Sequence, residues 1–286
     1  MAQNEIPDYL ISEFSEFLDY LPLNFETKEE EEYIKNLIET FNVNYHYGKF
    51  ESAFFNLHIL YMIIVYSYIL KLKNNNLEDF YMSLISLDKN EVKKYQEKFK
   101  DKKIKLFDFS MFKENNVFCF FQVLGFSEQE LKHISESVEK RNVYAHPRGR
   151  IIIKLSTDLY DLVKKNIDSL DNIHLKISPK VCNLFISFID KNLDDFEDEL
   201  DEIDELNLKL ETEQSTEQLQ LIKLDLEATK KQIEDKVRDF FIQENYLNKK
   251  DVIGCLSIDF EKYNTLSRFD YKKKLFDICK VIFKQD

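Results

Sequence analysis

Glycine and proline are scarce in this chain, at four of each in 286 residues. Strand-and-turn proteins need those two residues at their turns, so a β-sandwich or barrel is a poor fit. The four cysteines, Cys119, Cys182, Cys255 and Cys279, are far apart, form no CxxC pair and sit among apolar neighbours. They read as reduced core residues of a cytoplasmic protein, not as a disulfide framework or a zinc site. His46, His58, His133 and His174 show no HExxH or similar ligand spacing, which argues against a metal hydrolase. There is no P-loop, no GxGxxG and no GxSxG, which removes the usual NTPase, dinucleotide-enzyme and α/β-hydrolase readings. No metal and no cofactor is expected. The opening MAQNEIPDYL has no basic region followed by an apolar core, so no signal peptide is read there.

What remains is largely helical in period. The chain is 44% hydrophobic, with 25 Phe and 15 Tyr, enough for a sizeable core, and the class expected is all-α. Helices are expected over 4–22 and from Lys28 to about Asn42, the second opened by Thr27 and acids that suit a helix N-terminus. Residues 46–73 are apolar on most faces and predict the central core helix. The run from Ala53 to Leu70 is borderline for a membrane span but contains Asn56 and His58, so burial is expected and no membrane partner. Residues 77–101 predict a helix ending in lysines, either a surface for a phosphate backbone or a solvated end. A further apolar helix is expected over 107–124, with Gly125 as the break.

Ser127 and Glu130 form a capping-box pattern that starts a helix through Leu131, Ile134, Val138 and Arg141. Pro147 disfavours helical geometry at His146, so the helix should end there. Beyond it, a short extended piece is expected at Ile151–Ile153. Ser156 caps a helix to about Leu170, and Pro179 opens another.

The net charge is −13, but it is concentrated. From Asp194 to Glu217 there are 12 acids against Lys209 alone. That stretch carries −11 and leaves −2 for the rest, so overall acidity does not argue against a nucleic-acid partner. Leu193, Phe196, Leu200, Ile203 and Leu210 follow a heptad spacing, with Asn207 at a core position. Gln214-Ser215-Thr216 breaks it, and Leu219, Ile222, Leu226 and Ile233 resume it around Thr229. Two arms of about 30 Å each predict an antiparallel hairpin projecting from the body. Its acids either solubilise the arm, dock a basic partner or limit RNA access. From Asn245 two more helices are expected, the last opened by Ser267 and Asp270. Lys272, Lys273, Lys274, Lys280 and Lys284 make that last helix basic, to touch nucleic acid or to fold back on the hairpin.

The densest chemistry is Arg141-Asn142-Val143-Tyr144-Ala145-His146, followed by Arg148, Arg150 and Lys154. Arginine holds a fixed cation able to brace a phosphate, and histidine exchanges a proton near neutral pH. On an ideal helix, positions five apart diverge by about 140°, so Arg141 and His146 converge only at a frayed helix end. The bland alternatives are a surface histidine at a helix C-terminus and a surface arginine paired along its own helix. Positions 137, 138, 144 and 145, which would supply that pairing, hold no acid.

These six residues resemble the Rx4-6H signature of the HEPN superfamily, helical ribonuclease and nucleotide-binding domains of prokaryotic defence and toxin systems. The R-N-x-x-A-H form is matched by Arg141, Asn142, Ala145 and His146, and the resemblance extends at most over about residues 28–190. It implies a HEPN-like bundle, which with the N-terminal helix makes a domain over 1–190; the spacing read above sets the hairpin at 191–244 and a helical segment at 245–286. It also implies metal-independent RNA cleavage, tRNA being one candidate substrate, with a 2′,3′-cyclic phosphate product. His146 would be the general acid or base, Arg141 would stabilise charge on the phosphorane, and Asn142 would orient the phosphate or the imidazole. Arg148, Arg150 and Lys154 would hold the flanking backbone, and Tyr144 would stack on a base or pack in the core. One histidine per chain is short of an acid and a base, so the resemblance implies a homodimer with a composite site, or a pairing with another HEPN chain. An antitoxin or other regulatory protein is a further candidate partner. The alternative function is a non-catalytic helical module binding a nucleotide or a partner.

Overall fold

The computed structural model describes residues 8–75, 80, 83–84, 87, 89–90, 92–93, 104–145 and 152–283. Among them there is no strand, only one isolated antiparallel bridge between Pro22 and Asn248. The all-α expectation stands. Two compact units divide the chain: residues 1–177 with 246–249, and residues 178–245 with 250–286. The segments set apart in the sequence at 191–244 and 245–286 thus fall within one unit, save 246–249.

The first unit is built on α3 (Phe50–Asn75). Nearly every side chain from Leu60 to Leu72 is buried, which is why the helix carries almost no polar face. It is long and apolar enough to cross a membrane, yet 83% of its apolar window is buried inside the chain. α1 (Asp8–Leu18) and α2 (Lys28–His46) precede it. Thr27 caps α2 by accepting from the Glu30 N–H, and three acids line the first turn. Ile34, Leu37, Phe41 and Tyr45 form the buried stripe of α2, which packs on α3.

The expected helix over 107–124 is not continuous. The chain forms a 3-10 stretch at Leu106–Met111, a single α-turn at Glu114–Val117 and a second 3-10 stretch at Phe118–Leu124. In a 3-10 helix residues three apart share a face, which places Leu106 and Phe109 together; both are buried. Phe109 stacks on Tyr66 of α3 and Phe118 on Tyr61. Breaking the segment lets its phenylalanines reach the core from several directions. Gly125, at φ +75°, ends the second stretch.

α4 (Glu128–Ala145) follows. Its capping box is formed as expected: the Glu130 N–H donates to Ser127 Oγ at 3.3 Å, and the Ser127 N–H donates to Glu130 Oε2 at 2.7 Å. Phe54 meets Tyr144, His58 meets Ser137 and Tyr61 donates to the Ile134 carbonyl. As the α3 numbers rise the α4 numbers fall, so the two helices run antiparallel. Ile152 and Ile153 form no strand; their N–H groups donate to Glu51. α5 (Ser156–Asn192) does not stop near Leu170 but runs on with Pro179 inside it. No glycine or earlier proline lies between 156 and 178 to end it. Most of the lysine-rich end of the expected helix at 77–101 lies outside the described residues.

In the second unit, Leu193–Phe196 leads into α6 (Glu197–Thr212), paired with α7 (Thr216–Val237). Ser215 caps α7 by accepting from the Gln218 N–H. Leu200, Ile203 and Leu206 are buried on α6, and Leu226, Thr229, Ile233 and Val237 on α7. Asn207, expected in the core, is exposed, and Leu206 takes the inner position. A π-helical turn, Arg238–Gln243, leads towards α8 (Lys249–Leu256) and α9 (Phe269–Ile282).

The hairpin does not stand apart within its unit, because α9 packs on both its arms. Arg268 binds Asp194 at 2.6 Å and Glu197 at 2.5 Å, Lys272 binds Asp190 at 2.5 Å, and Lys274 binds Asp204 at 2.6 Å. Of the two roles open to the basic helix, folding back on the hairpin is the one observed. Ser267 does not cap it: Arg268 is the N-cap residue, without a side-chain cap bond, and Ser267 Oγ instead accepts from Lys272.

Candidate functional site

α4 carries Arg141, Asn142 and Tyr144 near its C-terminal end. Ser137 and Arg141 are four apart, so both point to one side of the helix. That side faces α3, where His58 is buried at 2% exposure. The α-turn at 114–117 closes the third side with Glu114.

The four polar side chains form one row. Arg141 donates from Nη2 to Glu114 Oε1 at 2.6 Å and from Nη1 to Asn142 Oδ1 at 2.9 Å. Glu114 Oε2 lies 3.2 Å from His58 Nε2, and His58 Nδ1 lies 3.3 Å from Ser137 Oγ. An ionised carboxylate only accepts, so Nε2 of His58 carries a proton towards Glu114. Burial by itself would raise the Glu114 carboxyl. The hydrogen bond and charge of His58, then those of Arg141, outweigh it and hold the group below the usual carboxylate range. Nearby, the Tyr66 hydroxyl is pushed up, first by burial and then by the Glu114 charge, with Arg141 opposing.

A guanidinium has five N–H donors in a rigid fork. Asn142 and Glu114 use one on each Nη. Among the described residues nothing takes the Nε–H or the second hydrogen of each Nη, which could meet an oxyanion, and the side chain is 32% exposed. Arg141 is thus anchored on one side and open on another.

Asn142 lies beside Arg141 and fixes one edge of its guanidinium. Tyr144 is half-buried, edge-on to Phe54 at 5.0 Å between ring centroids. Lys154 is exposed, and its backbone N–H donates to Asp158 Oδ2 at 3.2 Å. His146, Arg148 and Arg150 lie outside the described residues. Among the described residues no group of His, Cys, Asp or Glu is placed to hold a metal.

The sequence reading missed Glu114, His58 and Ser137. Ser137 was visible as the residue one turn before Arg141. His58 was visible as a titratable residue inside the most apolar run. Glu114 gave no local signal, because it is 27 residues from its arginine and 56 from its histidine.

No protein-family model matches this chain, and neither does any curated protein or solved structure.

Proposed function

We propose that this chain is a metal-independent endoribonuclease of the HEPN type, acting in the cytoplasm in phage defence or as the toxin of a toxin–antitoxin pair. What supports the reading is the anchored guanidinium of Arg141, joined to Asn142 and, among the described residues, open on its remaining N–H groups, with His146 five positions on in the sequence. A fixed cation of this kind is worth most where negative charge grows in the transition state.

In the reaction the RNA 2′-oxygen attacks the adjacent phosphorus and the P–O5′ bond breaks. A 2′,3′-cyclic phosphate and a 5′-hydroxyl result. His146 exchanges the proton, Arg141 meets the non-bridging oxygens, and Asn142 keeps the guanidinium turned towards them. Arg148, Arg150 and Lys154 track the flanking phosphates. Two copies supply the acid and the base together, so the working form is a homodimer.

The test is cleavage of total RNA and tRNA in EDTA by wild type, Arg141→Ala and His146→Ala. Cleavage by wild type alone, leaving cyclic-phosphate ends, supports the reading. Equal cleavage by all three refutes it. A mass measurement in solution that finds only monomer, with and without RNA, removes the dimer.

The Glu114–Arg141 pair favours a second reading, a module that binds a nucleotide or a partner without catalysis. The carboxylate already balances the arginine charge, as it would in a purely structural pair. RNA or nucleotide affinity that depends on Arg141, with no cleavage, selects this reading.

A further inference from the structure

His58 sits between two groups of unlike purpose. Ser137 belongs to the helix that carries Arg141, and Glu114 belongs to the turn that holds Arg141. Both ring nitrogens are engaged and the ring is sealed from solvent. No hydrogen bond joins His58 to the guanidinium, and the link between them runs through Glu114.

We infer that His58 is a positioning residue for Arg141, fixing the Glu114 carboxylate so that the guanidinium is presented in one orientation. The inference deepens the nuclease reading and rests on Arg141 handling the scissile phosphate. The terminal torsion of a glutamate is broad, and one partner leaves it loose. Here Oε1 is held by Arg141 and Oε2 by His58, so the carboxylate plane is set from both sides. Arginine has several rotatable bonds and much rotamer freedom to lose, and a carboxylate of fixed orientation removes part of that freedom before substrate arrives.

A purely structural role for the row is hard to reconcile with its chemistry. Apolar side chains of like volume at all four positions would often be neutral or stabilising, whereas removing His58 alone would leave Glu114 and Ser137 short of a partner. Nor does the hydroxyl of Tyr61, one turn along α3, satisfy His58; it donates to the Ile134 carbonyl. Stability alone therefore does not call for this row, and what the row supplies is a Glu114 carboxylate held from both sides against Arg141.

The experiment is steady-state cleavage of one RNA oligonucleotide by wild type, His58→Gln, His58→Leu and Ser137→Ala, with His146→Ala as the chemical control. Misplacement of a reacting group by about an ångström costs up to about a hundredfold. His58→Leu should lower kcat at least about tenfold with KM within about twofold. His58→Gln, whose amide still donates to Glu114, should recover most of the loss. Ser137→Ala should lower kcat by about threefold, because the ring keeps one of its two anchors. Thermal melts identify variants that fail to fold; if His58→Leu is one, the Gln and Ala variants decide. Wild-type kcat in every folded variant, with His146→Ala inactive, overturns the inference and leaves the nuclease reading standing. No His146-dependent cleavage by wild type overturns the nuclease reading, and the inference with it.

Discussion

Glu114 and Arg141 are joined at 2.6 Å although 27 residues separate them in the chain. The pair explains why α4 offers Arg141 no acid on its own face: the counter-charge comes from the turn at 114–117. Because the Glu114 carboxyl is held below its usual range, the folded state binds a proton there less readily than the unfolded chain does. Its contribution to stability is present above the unfolded carboxylate value, about 4.3, and is lost as pH falls through the lower folded value. The stability difference between wild type and Glu114→Gln should therefore be constant near neutrality and shrink as pH drops below the ordinary carboxylate range. Urea unfolding at a series of acid pH values reads this directly. A difference that grows on acidification would show that the carboxylate is not held low.

The start of α4 makes a separate prediction. Ser127 caps the helix, and the Glu130 carboxyl is pulled down to about 2, first by the Ser127 N–H and then by its hydroxyl and Lys176. Ser127→Ala removes the hydroxyl and leaves the N–H in place. Loss of an N-cap side chain costs about 1 kcal/mol, seen as a lower urea midpoint with an unchanged slope. The Glu130 carboxyl, followed by NMR, should titrate higher than in wild type and still below an ordinary glutamate. An unchanged titration would mean that the backbone N–H and Lys176 account for the whole shift.

How much of this was legible in the sequence depended on range. Thr27, the Ser127–Glu130 box and the Ser215 cap were readable because each is settled within four residues. The central helix was readable because an unbroken apolar run has few other fates. The 106–124 segment was not, because its phenylalanines satisfy a helical average while their burial requires a broken path over α3. Pro179 reads as a helix start, yet the turns before it contain nothing that stops a helix. Ser267 looks like a cap, but the carboxylates that bind Arg268 come from about 70 residues away. For the candidate site the sequence supplied Arg141, Asn142 and their helix, and could not supply Glu114 or His58, whose roles exist only once α3, α4 and the 114–117 turn are packed.

The contact between α9 and the end of α5 includes one nearly buried charge. The Lys272 side chain is 3% exposed and binds Asp190 at 2.5 Å, while Asp190 is 40% exposed. Among the described residues, removing the aspartate leaves a buried ammonium with the Ser267 hydroxyl at 3.3 Å as its remaining hydrogen-bond partner, whereas removing the lysine leaves a carboxylate that water can reach. Breaking a fully buried pair costs about 3–5 kcal/mol, and partial exposure of Asp190 reduces this to about 2 kcal/mol. Asp190→Asn should therefore destabilise clearly, and Lys272→Met should be close to neutral. Equal losses in urea unfolding would mean that the attraction between the charges, and not the desolvation of Lys272, dominates.

The thiols give a final prediction, and it needs no functional assay. Cys255 and Cys279 are buried, whereas Cys119 and Cys182 are partly exposed. Burial pushes the Cys279 thiol up to about 12, and only the thiolate attacks a disulfide reagent. At pH 8 in native buffer, DTNB should modify Cys119 and Cys182 first, with Cys279 protected until the fold opens. Mass mapping after timed quenching assigns each site. Cys279 reacting as fast as Cys182 would mean that the α9 face opens on the timescale of labelling, and the packing of α9 on the hairpin would then be too weak to fix the basic helix in place.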